Sequence, residues 1–299
     1  MRAACLLLAC AAALAAPAPR TIKVPVWVDG NPKLTMKELK ANSRILDVQG
    51  PQDGLIVLLV VDLAGDLAFI EPAKNALAAG INGLAPKTWV GVLRAQDGLR
   101  VLADPSPDRA ASIAAVRETG ISAKAGLLDT VETAENIGDS MLAKAGVRVA
   151  VLYVTDSDVQ NYREDFTNPV INSSDPHDLS RRFPEGLVRE KIAKLSARLA
   201  RRQAPLFIVH LRYRSDRLNE AYQAGLKELA AVTGGSAQFC RSDAEIPEAV
   251  RKAFETIGSY YSVTLALPER AGADVQVQLE AEGGRNLTYR TRFVLKEKR

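Results

Sequence analysis

Cysteine and histidine are scarce, with three and two in 299 residues. Cys5 and Cys10 lie in the first ten positions, which leaves Cys240 without an intramolecular partner and excludes a disulfide framework. Cys240 stands in SAQFC, a short strand-like stretch, and reads as a small buried apolar residue. His177, flanked by Asp175 and Asp178, reads as solvated, and His210, ending LFIVHL, reads as structural. Covalent catalysis needs a base beside a nucleophile, and nucleotide chemistry commonly uses a Gly-rich phosphate loop; neither pattern is present. Basic clusters interleaved with aromatics are absent too, and a net charge of +4, evenly mixed, argues against nucleic acid as a partner.

The first twenty residues, MRAACLLLACAAALAAPAPR, have a basic start, an apolar core and small residues before a proline pair. Ala13-Leu14-Ala15 fits a small-x-small cleavage site, so residues 1–15 are expected to be a signal peptide. The apolar stretch is too short to span a bilayer as a permanent helix. Leu7-Leu8-Ala9-Cys10 offers a second outcome, a lipid tether at Cys10. Either way the expected location is extracytoplasmic, periplasmic or secreted.

Residues 16–54 read as an N-terminal β segment. TIKVPVWV alternates as a half-buried strand, with Pro25 suggesting a sheet edge, LTMKELKA reads as a short helix and RILDVQ as a strand. At Leu55 the rhythm changes: LIVLLVV is a continuous β-rich run, expected of a strand covered on both faces. It runs into Asp62, and Asp66 follows. EPAKNALAAGINGL reads as a helix, TWVGVLRAQDGLRVL as a hairpin turning at QDG, and LLDTVETAENIGDSMLAKAG as a helix ending at Gly146. VRVAVLYVTD is a second apolar strand ending on an acid, Asp156, and the polar stretch 157–186 follows it with no clean period. Helices and strands then alternate through LFIVHL and SAQFC to an amphipathic helix ending near residue 258. Residues 259–299 alternate as antiparallel strands, able to join the N-terminal strand in a small β module. The fold class is therefore α/β: a doubly wound, mostly parallel sheet over 55–258, with an antiparallel edge hairpin and an appended β module from both termini. Ligands of such sheets bind beyond the carboxyl ends of the strands, where Asp62, Asp66 and Asp156 fall, so these acids are expected at an exposed site.

LIVLLVVDLAGD, the QDG hairpin, LLDTVETA and VRVAVLYVTDSD, in that order, resemble the von Willebrand factor A (vWA) domain. TGGSAQFCRSDAEIPEAVRKAFETIGSYYSVTLALPE resembles the end of a divergent exported bacterial branch of that family. The resemblance covers 55–298 well and 21–54 weakly. It implies a protein-binding or adhesion module with a metal-ion-dependent site at the strand ends. Such a site uses an Asp-x-Ser-x-Ser motif, a Thr from a second loop and an Asp from a third; two Ser hydroxyls and one Thr ligate a divalent cation, and the acids hold it mainly through water. Here the motif reads Asp62-Leu63-Ala64-Gly65-Asp66, and Ala125 stands where the Thr belongs. Asp62 and Asp156 match, but two of three hydroxyl ligands are gone, so the site is degenerate. A weakly bound magnesium, calcium or manganese ion would then rest on Asp62, Asp66 and Asp156, with Asp158 or water filling in. Alternatively Lys124 takes the metal's place against Asp62 or Asp66, or the acids are a solvated remnant. The candidate partner-binding residues are Asp62, Asp66, Lys124, Asp156 and Asp158. A scaffold role in an envelope complex, with a vestigial site and contacts through the β module, is the alternative. A magnesium-dependent hydrolase ranks lower, because Asp62-Leu63-Ala64 has no second acid two residues on; a non-enzymatic role is expected.

Overall fold

The computed structural model describes residues 20–30, 33–63, 67–120, 126–162, 185–268 and 272–295. Strands β1 (Thr21–Val28), β2 (Leu39–Ala41) and β3 (Ile45–Gln49) lead into β4 (Leu55–Asp62). Helix α1 (Leu67–Gly83) precedes the hairpin of β5 (Thr88–Arg94) and β6 (Arg100–Ser106). Helices α2 (Arg109–Glu118) and α3 (Leu127–Ala145) come before β7 (Arg148–Thr155). Next are α4 (Glu185–Leu199), β8 (Leu206–His210), α5 (Arg217–Thr233), β9 (Ala237–Phe239) and α6 (Ile246–Ser259). Strands β10 (Tyr261–Ala266), β11 (Asp274–Gln276), β12 (Leu279–Ala281), β13 (Leu287–Tyr289) and β14 (Arg292–Val294) follow.

The central sheet has six strands in the order β6-β5-β4-β7-β8-β9. All its pairs are parallel except β5 with β6. That hairpin turns through Asp97 and Gly98, both at positive φ, which the QDG sequence anticipates. β4 shows why its sequence is an unbroken apolar run. Leu55, Val57, Leu59 and Val61 pack into a layer with α1, α2 and α6, while Leu58 and Val60 pack into the opposite layer with α3, α4 and α5. Each such side chain contributes about 1.5–3 kcal/mol on burial. Chain order reverses between β4 and β7, so the switch point lies where Asp62 pairs with Thr155.

A second sheet, in the order β13-β1-β10-β3, joins the two ends of the chain around its own core of Val24, Val26, Val263 and Leu265. Arg148, only 1% exposed, ties it to the central sheet. Its guanidinium donates to the carbonyls of Gly258, Tyr260 and Asp53 and lies over the Tyr260 ring. Trp27 Nε1 donates to Thr256 O on α6.

Three local expectations are corrected. LTMKELKA forms a 3-10 turn at Met36–Glu38 and then strand β2, because its apolar residues have a neighbouring strand, β12, to pair with. Helix α1 begins at Leu67, ahead of Glu71, with Pro72 inside it. β1 is flanked on both sides, but β13 pairs only with Val26–Val28, so Pro25, which lacks an N–H, lies just outside that ladder.

Candidate functional site

Asp62 is the last residue of β4 and is completely buried. Its carboxylate accepts hydrogen bonds from Gly126 N–H (2.8 Å, on Oδ1), Leu127 N–H (3.1 Å, on Oδ2) and the Thr155 hydroxyl (3.0 Å, on Oδ2). Gly126 is the N-cap of α3 and has no side chain to satisfy the helix's first N–H groups. Asp62 supplies the missing acceptor from another strand. The Tyr162 hydroxyl accepts from Leu128 N–H (3.2 Å), and Gly126 O accepts from Asp129 and Thr130 N–H. The first turn of α3 is thus fully paired, with a carboxylate at the positive end of its dipole.

The network continues away from α3. Because the Thr155 hydroxyl donates to Asp62, it accepts from Ser157 N–H (3.1 Å) and is bonded to the Ser157 hydroxyl (2.7 Å), which in turn meets the Tyr222 hydroxyl on α5 (3.0 Å). The donors can all be placed in one direction, from Tyr222 through Ser157 and Thr155 to Asp62. His210 joins at the backbone. Arg212 N–H donates to Nδ1 (3.3 Å), which puts the ring proton on Nε2 for donation to Ser157 O (2.7 Å).

Burial sets the protonation of these groups. Desolvation pushes Asp62 up to about 7; its bonds from Gly126, Thr155 and Leu127 oppose this, and neighbouring Asp156 adds to it. Desolvation lowers His210 to about 4, so its imidazole is neutral. Burial likewise raises the Tyr222 phenol, which stays protonated.

The expectation of exposed acids at the strand ends is overturned. Asp62 is buried, Asp156 is 6% exposed and Asp158 is 7% exposed. Asp156 N–H donates to Asp62 O (3.4 Å), and Asp158 forms an ion pair with Arg214 (2.8 Å). The switch point does bring Asp62, Asp156 and Asp158 into one region, but as internal groups. Asp66, Lys124, Ala64 and Ala125 lie outside the described residues, as does His177. Among the described residues no group of three His, Cys, Asp or Glu side chains could hold a metal. Asp62 accepts three of the roughly four hydrogen bonds open to a carboxylate, so a cation placed on it would compete with two backbone N–H groups and a hydroxyl. The described residues therefore do not fit direct ligation of a divalent ion at Asp62.

Sequence reading missed Gly126, Thr155, Ser157, Tyr222 and Asn219, whose side-chain oxygen accepts Val159 N–H (3.1 Å). Gly before the apolar start of a helix, where a capping side chain is usual, was the one local signal. Outward of the network, the strand ends carry arginines: Arg94 ends β5, Arg212 and Arg214 follow β8, and Arg241 follows β9. Arg212 lies over the Phe69 ring and Arg241 over the Tyr213 ring. Acids nearby are committed: Asp158 to Arg214, Asp216 to the cap of α5, and Glu245 to Arg241 N–H.

The parallel sheet with its antiparallel edge hairpin, helices on both faces and a switch point between β4 and β7 is the architecture that the family resemblance implies. The fold is vWA-like. No family model matches the chain, and no curated protein does. Similar solved structures include a von Willebrand factor type A protein from Catenulispora acidiphila, 13% identical over 87% of this chain and 74% of that one, TM-score 0.47. The vWF domain of the type V pili tip protein Mfa5 from Porphyromonas gingivalis is 12% identical over 69% of this chain and 95% of that one, TM-score 0.45. Proximal thread matrix protein 1 from the mussel byssus, with a zinc-occupied MIDAS motif, is 10% identical over 76% of this chain and 50% of that one, TM-score 0.47. At these identities and TM-scores the likeness assigns neither a site nor an activity to this chain.

Proposed function

We propose that the chain is an exported, non-catalytic vWA-like module that binds a protein partner at the carboxyl ends of its parallel strands, using cationic side chains where a bound metal would otherwise act. The observation that carries this reading is the division of charge at the strand ends. The acids at the ends of β4 and β7 (Asp62, Asp156 and Asp158) are buried, whereas Arg94 and Arg212 are partly exposed and Arg241 is exposed, and the exposed acids Asp216 and Glu245 accept from backbone N–H groups. Arginine presents a planar fork suited to carboxylates, so the favoured partner is an acidic protein segment. Export rests on the leader-like pattern of residues 1–15. Among the described residues no helix is long and apolar enough to cross a membrane.

The test uses the full-length protein as bait in an envelope extract, with and without chelator. The expected result is capture that is indifferent to chelator, weakened by salt, and lost in the charge reversals Arg212→Glu and Arg241→Glu. Chelator-sensitive capture would contradict the reading. One observation favours the scaffold alternative: the internal role of Asp62 gives this acid a structural purpose sufficient in itself. Capture that survives both reversals but fails in Glu280→Lys, the exposed residue of β12, would establish the scaffold reading instead.

A further inference from the structure

A cavity of about 540 Å³ lies far from the strand-end network, between the start of β1, the C-terminal half of α3, the turn after α4 and the end of β14. Its size falls within the range of small-molecule sites. Its charge is one-sided: Arg20, Lys23, Arg201 and Arg202 line it, against Asp139. The rest of the wall includes the apolar side chains Leu142, Leu267 and Leu295.

Arg202 is the unusual member. It is only 8% exposed, yet among the described residues its buried Nε has no hydrogen-bond partner. Its nearest carboxylate oxygens, on Asp139 and Glu132, are each 4.0 Å away, beyond hydrogen-bond range. Both acids are turned to other donors: Asp139 accepts from Gln203 N–H (2.8 Å) and Ala204 N–H (3.0 Å), and Glu132 accepts from Arg198 (2.8 Å). Glu135, which interacts electrostatically with Arg202, is fully buried and outside the cavity lining, and desolvation raises its pKa. A buried guanidinium nitrogen without a hydrogen bond is costly, and an anion that draws the group into hydrogen-bonded geometry offsets that cost. Lys23 adds a second cation at close quarters: Nζ spends one donor on Leu142 O (2.8 Å), and desolvation lowers its pKa, an effect that a bound anion would reverse.

We propose that this cavity binds a small amphiphilic oxyanion, a carboxylate or phosphate on an apolar stem, with Arg202 as its bidentate anchor. Lys23 and Arg201 share the head-group charge, and the leucine wall takes the stem. The site is independent of the strand-end reading and of any partner there.

Isothermal titration calorimetry on the full chain tests it, with octanoate and octyl phosphate as probes and with octanol and inorganic phosphate as stem-only and head-only controls. The expected result is saturable one-site binding of at least one probe, at least about tenfold tighter than either control, weakened about tenfold or more in Arg202→Gln and in Arg201→Gln. Whichever probe binds more tightly identifies the head group. Arg201 is exposed, so its variant is read even if Arg202→Gln fails to fold. No saturable heat from either probe at about 1 mM, equal binding of octanol, or unchanged affinity in Arg201→Gln would overturn the proposal.

Discussion

Asp62 shows how a single buried acid can be held by backbone and hydroxyl donors. Its oxygens receive two backbone N–H groups and a hydroxyl, all from segments distant in sequence. Asp62→Asn keeps the shape but turns an amide NH₂ toward these donors, stranding at least one of them. Urea unfolding is expected to show a loss of about 2–4 kcal/mol. The pH dependence carries a defined sign. Folding raises Asp62 from 3.8 to about 7, so its favourable contribution is present below pH 3.8 and is lost as pH rises through 7. The stability gap between wild type and Asp62→Asn therefore narrows from acid to neutral pH. His210 runs the other way: folding lowers it from 6.5 to about 4, so its contribution is present above pH 6.5 and is lost as pH falls through 4. Wild type should lose stability relative to His210→Gln over that interval, by on the order of 3 kcal/mol. Unfolding curves at a series of pH values measure both slopes. That an acid stood at the end of β4 was legible in the sequence; its purpose was not. A remote cap has no spacing rule, and 64 residues separate Asp62 from Gly126.

The elements themselves were largely legible where one physical cause dominated. β4 reads as an unbroken apolar run because both its faces are covered, and α3 ends at Gly146 because φ there is +64°. Elements failed to be legible where a partner decided them: LTMKELKA has an ambiguous pattern, and pairing of β2 with β12 resolved it as strand. The start of α3 combines both cases. A Cβ at Gly126 would lie 1.0 Å from Ala95 O, so the helix can approach the end of β5, and reach Asp62, only with glycine there. Gly126→Ala is expected to cost more than about 4 kcal/mol or to abolish soluble expression. Gly146→Ala, strained but with open space around its Cβ, should cost about 1 kcal/mol. Thermal denaturation of the two variants side by side measures the difference.

Across the whole molecule, the two larger sheets share one chain through β10, which directly follows α6 and sits between β1 and β3. A cut at the end of α6 would therefore dismantle the terminal sheet, so point substitutions are the better probes of either surface. Arg148 couples the sheets through carbonyls of Gly258, Tyr260 and Asp53. Arg148→Met leaves buried acceptors unpaired and should cost about 3 kcal/mol. It should also split a shared transition. Trp27 lies in β1, packed against Phe207 and Tyr260, and Trp89 in β5, and they are the chain's two tryptophans, so single-tryptophan variants report the junction of the sheets and the central sheet in turn. Their fluorescence midpoints should coincide with Arg148 in place, and the Trp27 signal should be lost at lower urea in Arg148→Met.

The central claim is that the first turn of α3, with Thr155, satisfies the strand-end acid that a divalent cation would otherwise serve. Calorimetric titration of magnesium and manganese into the full-length protein tests it most directly. The account predicts no saturable heat, and a thermal midpoint unchanged by chelator. Saturable binding that disappears in Asp66→Ala would contradict it.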